Sequence, residues 1–187
     1  MEHTPSNKHT CLFYSSKDEL LDILVPYFKA GLENNEFCIW VPPESLKVEE
    51  ARLALSESVK NLNYYIEKGQ IEIYDYRDYY LKSGVFLAFE MLDNWGKKEQ
   101  EILRKGFDKI RVAGDGSWGL EGSWVNLIYY EEAVNSIIAV HPIISICSYN
   151  IARLSVDKIM AIGANHQSSL VKRMGSWDSL SPAEFKK

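Results

Sequence analysis

The stretch His9-Thr10-Cys11-Leu12-Phe13-Tyr14-Ser15-Ser16-Lys17-Asp18-Glu19 constrains this chain more than any other. A mostly apolar segment runs through a two-residue polar turn straight into a helix start. Side chains alternate along a strand, so His9, Cys11 and Phe13 share one face, and Leu12 and Tyr14 the other. Ser16 with Glu19 three residues on reads as a capping box, which starts the helix there. In many α/β proteins such a strand-to-helix turn grips phosphate. Here it carries no glycine and no lysine–serine pair, so the phosphate-binding equipment of a nucleotide fold is missing.

The same alternation of strand and helix recurs five times. Strands are predicted over His9 to Tyr14, Glu36 to Val41, Gln70 to Tyr74, Lys109 to Ala113 and Ile143 to Cys147. Helices are predicted over Lys17 to Asn34 (with a kink or break at Pro26), Glu44 to Val59, Phe86 to Lys105, Ser123 to Ala139, and Ser155 to Ile162 ending at Gly163. A further helical turn is expected over Asn61 to Lys68. Buried strands alternating with helices imply an α/β three-layer sandwich with a mainly parallel sheet of five strands or slightly more. Residues 1–8 read as a flexible N-terminus, 9–163 as a single domain and 164–187 as a tail or linker. In that tail Leu170, Val171, Met174 and Trp177 are placed to dock as one more helical turn.

A chain of 187 residues can bury roughly 70% of its unfolded surface, enough for a core without disulfide staples. The net charge of −5 argues against a general nucleic-acid binder, which needs a positive surface. No apolar run reaches the length of a membrane span, and no signal-peptide core is visible, so a cytoplasmic location is expected. Cys11, Cys38 and Cys147 are widely spaced in apolar segments without a CxxC pair. They read as reduced thiols rather than a structural zinc site.

Ligands of open parallel sheets bind beyond the carboxyl ends of the strands. Those ends carry Tyr14, Trp40, Tyr76, Asp115, Trp118 and Tyr149, an aromatic rim with a few polar groups, as small-molecule pockets have. These six are the expected ligand-binding residues. His9 and Cys11 point the same way on one strand, and with Cys147 they are the set that would hold a metal ion if one is bound. The simpler reading makes them a strand-entry histidine and two core thiols. No cofactor and no catalytic residue are expected. Gly114-Asp115-Gly116-Ser117-Trp118-Gly119 spells GxGxxG, but it follows the fourth strand, carries a tryptophan where a pyrophosphate would lie, and lacks the downstream acidic residue in a strand. Its glycines are expected to permit a tight turn that exposes Asp115.

The blocks His9–Tyr14, Tyr27-Phe28 with Gly31-Leu32, and Phe37–Val41 resemble the MEDS domain, the sensory domain described in methanogens and methylotrophs. Ile110–Asp115 with Ser117-Trp118, and Ile146–Asn150, are similar to that family's later blocks. The resemblance implies a RecA-like scaffold without a phosphate loop, sensing small hydrocarbon derivatives or related metabolites. It maps a histidine–cysteine signature onto His9 and Cys11. The stretch after Gly163 is too short for a kinase or DNA-binding output module, so the expectation is a lone sensor or one whose output, a kinase or regulator, lies in a partner protein. The signal would leave through the tail or through a dimer face, so a homodimer is one option. The rival readings are a thiol- or metal-dependent or degenerate nucleotide-binding enzyme, and a ligand-free docking module.

Overall fold

The computed structural model describes residues 8–81, 84, 86, 88–120 and 124–186; the N-terminal segment expected to be flexible lies, apart from Lys8, outside them. The described elements are β1 (His9–Tyr14), α1 (Lys17–Glu33), β2 (Phe37–Val41), α2 (Val48–Ser58), α3 (Leu62–Glu67), β3 (Ile71–Ile73), α4 (Tyr76–Tyr80), α5 (Ala88–Arg104), β4 (Ile110–Asp115), α6 (Trp124–Val140), β5 (Ile143–Asn150), α7 (Val156–Ala164), β6 (Ser168–Arg173) and β7 (Ser176–Leu180). The strands form one sheet in the order β3-β2-β4-β5-β1-β6-β7. All neighbours are parallel except β6 and β7.

Strand alternation sorts the side chains into two cores. Leu12, Tyr14, Cys38, Trp40, Ala113 and Ile146 pack under α1 and α2, against Leu20, Leu24, Phe28 and Leu55. On the other face Ile39 and Val112 meet Met91, Trp95 and Ile102 of α5 and Tyr130, Val134 and Ile138 of α6. Cys11, Phe13, Cys147 and Tyr149 meet Leu127 of α6 and Ile162 of α7. The result is the three-layer sandwich expected, with seven strands in the sheet.

Three local expectations are corrected. Residues 168–180 form a hairpin that extends the sheet beyond β1, not a tail with a helical turn. β6 pairs in parallel with β1 (Thr10 opposite Ser168, Leu12 opposite Leu170), and Met174 and Gly175 turn the chain with positive φ. The strand pattern was weak because β7 is an edge strand whose residues are only half-buried or exposed. No break occurs at Pro26: helix α1 continues through it, and the residue is exposed. Gly163 lies inside α7, one residue before its end, and is a glycine for packing: a Cβ there would sit 2.4 Å from the Phe185 ring.

The glycines of the GxGxxG stretch have a packing role. A Cβ on Gly114 would lie 2.0 Å from the Tyr80 hydroxyl, and one on Gly116 would lie 2.2 Å from the Tyr149 ring. Neither residue has positive φ. Asp115 between them is buried, not exposed as the sequence suggested. Gly116→Ala is expected to cost about 1–3 kcal/mol through overpacking. Gly96→Ala, where nothing lies within 4 Å in the middle of α5, should instead stabilise by about 0.5–1 kcal/mol. Urea unfolding of the two variants beside the wild type checks the opposite signs.

Candidate functional site

The β1–α1 turn is closed against phosphate by the chain itself. Ser16 Oγ accepts from the Glu19 backbone N–H at 3.2 Å, as a capping residue does. Glu19 Oε2 then accepts from the Ser15 N–H at 2.8 Å and from Ser15 Oγ at 2.5 Å. The N-terminus of a helix following a strand is where a phosphate binds in nucleotide folds. Here a carboxylate has taken a donor there, and the Ser15 hydrogen bonds hold Glu19 below the usual carboxylate range.

β1 and β5 lie side by side and leave in opposite directions, β1 through α1 to β2 and β5 through α7 to β6. This makes a topological switch point, the place where open α/β sheets bind ligands. At its floor Asp115 Oδ2 accepts from the Tyr14 hydroxyl at 3.0 Å and from Ser148 Oγ at 3.4 Å, while Oδ1 accepts from the Ser117 N–H at 2.9 Å. Burial pushes the Asp115 carboxyl above its ordinary value, and these hydrogen bonds pull the other way. A cleft of about 310 Å³ opens above, lined by Tyr14, Pro43, Glu44, Ser45, Ser117, Asn150 and Arg153. Its rim carries Glu44 and Arg153, while its exposed wall is more apolar than polar.

The six expected ligand-binding residues do not converge. Tyr14 and Asp115 meet as described. Trp40 is fully buried and stacked on Phe28 with ring centroids 5.0 Å apart, because its side of β2 is covered by α1. Tyr76 lies in a neighbouring groove between the residues after β2 and α4, which shares Pro43 and Glu44 with the cleft. Trp118 and Tyr149 lie on the opposite side of the sheet from Tyr14, under α6.

A second hollow of about 310 Å³, which the sequence did not suggest, lies between α5 and the sheet. Ile39, Tyr74, Tyr79, Met91, Trp95 and Val112 wall it, and the Lys98–Glu72 ion pair at 2.8 Å stands on its side. Trp95 and Val112 also border an internal void of about 10 Å³ that reaches Trp118, Tyr130, Glu131 and Cys147.

Behind that void is a buried polar cluster. His9 Nε2 lies 3.2 Å and His166 Nε2 3.3 Å from Glu131 Oε2, and Cys147 Sγ lies 3.5 Å from His9 Nε2. The Tyr149 hydroxyl donates to Glu131 Oε1. Burial pushes the Glu131 carboxyl up, but the facing imidazoles outweigh it and leave the group ionised, well below the usual range. Burial, aided by His166, pushes His9 down, and burial pushes the Cys147 and Cys11 thiols well up. The metal-ligating set expected from sequence is therefore revised. His9 and Cys147 belong to one cluster with Glu131 and His166. Cys11, opposite Cys147 in the β1–β5 register, is not part of that set. Glu131 was passed over as a helix residue. Its signal was a charge within the inward stripe Leu127, Glu131, Val134, Ile138 of α6.

The family model of the methanogen/methylotroph, DcmR sensory domain (MEDS) matches residues 8–167. The chain belongs to the MEDS family. It is 25% identical over 169 residues to the transcriptional repressor DcmR of Methylorubrum extorquens (strain DSM 6343 / CIP 106787 / DM4), covering 86% of this chain. The MEDS chain spans 58% of that relative's length. In fold it is similar to the crystal structure of a KaiC-like protein from Pyrococcus horikoshii OT3, with a TM-score of 0.53 and 14% identity over 92% of this chain and 76% of the other. The scaffold is thus RecA-like, without the phosphate loop.

Asp115 gives this MEDS domain a defined pH response. Its folded-state value is raised, so between the unfolded value near 3.8 and the folded one the native state holds the extra proton, and stability falls as pH rises through that window. Asp115→Asn removes this slope. Urea midpoints measured from pH 3.5 to 7 should show the wild type losing stability relative to the variant as pH rises.

Proposed function

We propose that this MEDS domain is a non-catalytic sensor that takes a small, weakly polar organic molecule into the hollow between α5 and the sheet and signals its occupancy to a protein partner, a kinase or regulator. The observation that carries this reading is the hollow's make-up. It has the size of a small-ligand site, apolar and aromatic walls from Ile39, Tyr79, Met91, Trp95 and Val112, and polar groups at Glu72, Asp78, Asn94 and Lys98 to orient a ligand. Hydrocarbon derivatives such as halomethanes, short alcohols and methylamines suit walls of this kind. A regulatory role is in keeping with the family and with the repressor among its relatives.

Two observations weigh against the enzymatic rivals. Glu19 holds the Ser15 donor at the turn where a nucleotide fold would hold phosphate. All three thiols are buried with values pushed up by that burial, so they are protonated and poor nucleophiles at neutral pH. Among the described residues no helix is long and apolar enough to cross a membrane.

The test is a thermal-shift and fluorescence screen of the full chain with halomethanes, methanol, methylamines and short acids. A true ligand at a hundredfold excess over its dissociation constant should stabilise by about 2.7 kcal/mol. Met91→Trp, which fills the hollow, should abolish that shift, and Tyr14→Phe should leave it intact. The reverse pattern would move the site to the strand tips, and tight ATP binding would sink the sensor reading.

A further inference from the structure

We propose that His9, Glu131, Cys147 and His166 form a binding site for one divalent transition-metal ion of the zinc class, on the α6 side of the sheet. The site is distinct from the strand-tip cleft and does not depend on the ligand proposed above.

The ligand atoms are already spaced for it. Bonds of about 2.0–2.1 Å to nitrogen and oxygen and about 2.3 Å to sulfur put neighbouring tetrahedral ligand atoms about 3.3–3.6 Å apart. The observed separations are 3.2, 3.3 and 3.5 Å, and all four ligand atoms lie within 4.8 Å of one another. Close-packed side chains with no role for a cation would be expected to share protons instead. Yet Glu131 Oε2 and His166 Nε2, both buried, face each other at 3.3 Å out of hydrogen-bond alignment.

The surrounding hydrogen bonds aim the lone pairs inward. His9 Nδ1 lies 2.9 Å from Asn135 Oδ1, and the same amide donates from its nitrogen to the Asn165 carbonyl at 2.7 Å, which fixes its oxygen as the acceptor. His166 Nδ1 donates to the Ile162 carbonyl at 2.8 Å. With Nδ1 engaged in both rings, each Nε2 faces Glu131 and is the atom that binds an ion once any proton on it is released. This is the support that metal-ligating histidines receive from carbonyl-type partners. The Tyr149 hydroxyl holds Oε1 of Glu131 and leaves Oε2 for the ion.

The donor set names the class of ion. Two imidazoles, a thiolate and one carboxylate oxygen are borderline to soft, unlike the all-oxygen shells of magnesium or calcium. Binding displaces the Cys147 thiol proton to solvent. The resulting thiolate and the Glu131 carboxylate together balance a divalent charge, as a site buried from water demands. The 10 Å³ void touching Glu131 and Cys147 has room for about one water-sized group beside the ion.

The full chain, exposed to zinc and then dialysed free of it, is assayed for metal and separately titrated with Co²⁺. About one zinc per chain is expected, with a sulfur-to-cobalt charge-transfer band and visible bands of four-coordinate intensity. Cys147→Ser should lose the charge-transfer band, and Cys11→Ser should keep it. Asn135→Ala should weaken metal affinity by about 10–100-fold while leaving the band in place at saturation. Circular dichroism checks that each variant folds, and the wild type decides independently of them. A folded wild-type chain that retains no zinc and gives no cobalt band overturns the proposal. So does a band that survives Cys147→Ser in a folded variant.

Discussion

The structure turns on one buried carboxylate. Glu131 projects from the inward stripe of α6 into the layer between helix and sheet, where it is 2% exposed. An ionised group in such a place is costly by several kcal/mol unless partners surround it. Its partners come from three other segments: His9 from the start of β1, Tyr149 from the end of β5, and His166 from the turn between α7 and β6. Meeting the needs of this one group therefore fixes how α6 sits on the sheet and how β1, β5 and the last crossover are registered. It also explains Gly116. The Tyr149 ring passes close to that backbone as its hydroxyl reaches Glu131, and a side chain there would push it away.

The strand tips show a different economy. A RecA-like scaffold normally leaves its first strand-to-helix turn open for phosphate. In this chain the donor of Ser15 is taken by Glu19, and the hydroxyl of Tyr14 is turned inward onto Asp115. The polar groups that would greet a nucleotide are spent within the fold. Another opening of the same size lies along the flank where α5 stands off the sheet and leaves room between Trp95, Met91 and the β2 and β4 side chains.

Much of this was legible before any coordinates. The alternation of apolar strands and capped helices carried the layer order, and the missing glycine and lysine at the first turn carried the loss of the phosphate grip. The site was harder, for physical reasons. Position at a strand end does not decide exposure: Trp40 and Tyr149 end apolar strands, but helices α1 and α6 lie over them. Asp115 looked like a loop carboxylate because its partners, Tyr14 and Ser148, come from strands distant in sequence. The hairpin at 168–180 was hidden because an edge strand needs only one weakly apolar face. Glu131 and His166 were visible as single residues but meaningless until α6 and the α7–β6 turn were brought against β1.

The hollow beside α5, the small void and the carboxylate cluster are not independent compartments. Trp95 and Val112 wall the hollow beside α5 on one side and the void next to Glu131 and Cys147 on the other. Trp95 packs edge-on to Tyr130 at 6.3 Å, and Tyr130 in turn meets Phe86 and Trp118. Protein interiors are close-packed and resist gradual deformation, so a molecule large enough to displace the Trp95 ring has to repack this ring set as a unit. Because α6 carries both Tyr130 and Glu131, one residue apart, such repacking acts on the same helix that the buried carboxylate anchors. Occupancy of the flank is thereby tied, through contiguous side chains, to the element whose placement the rest of the fold depends on.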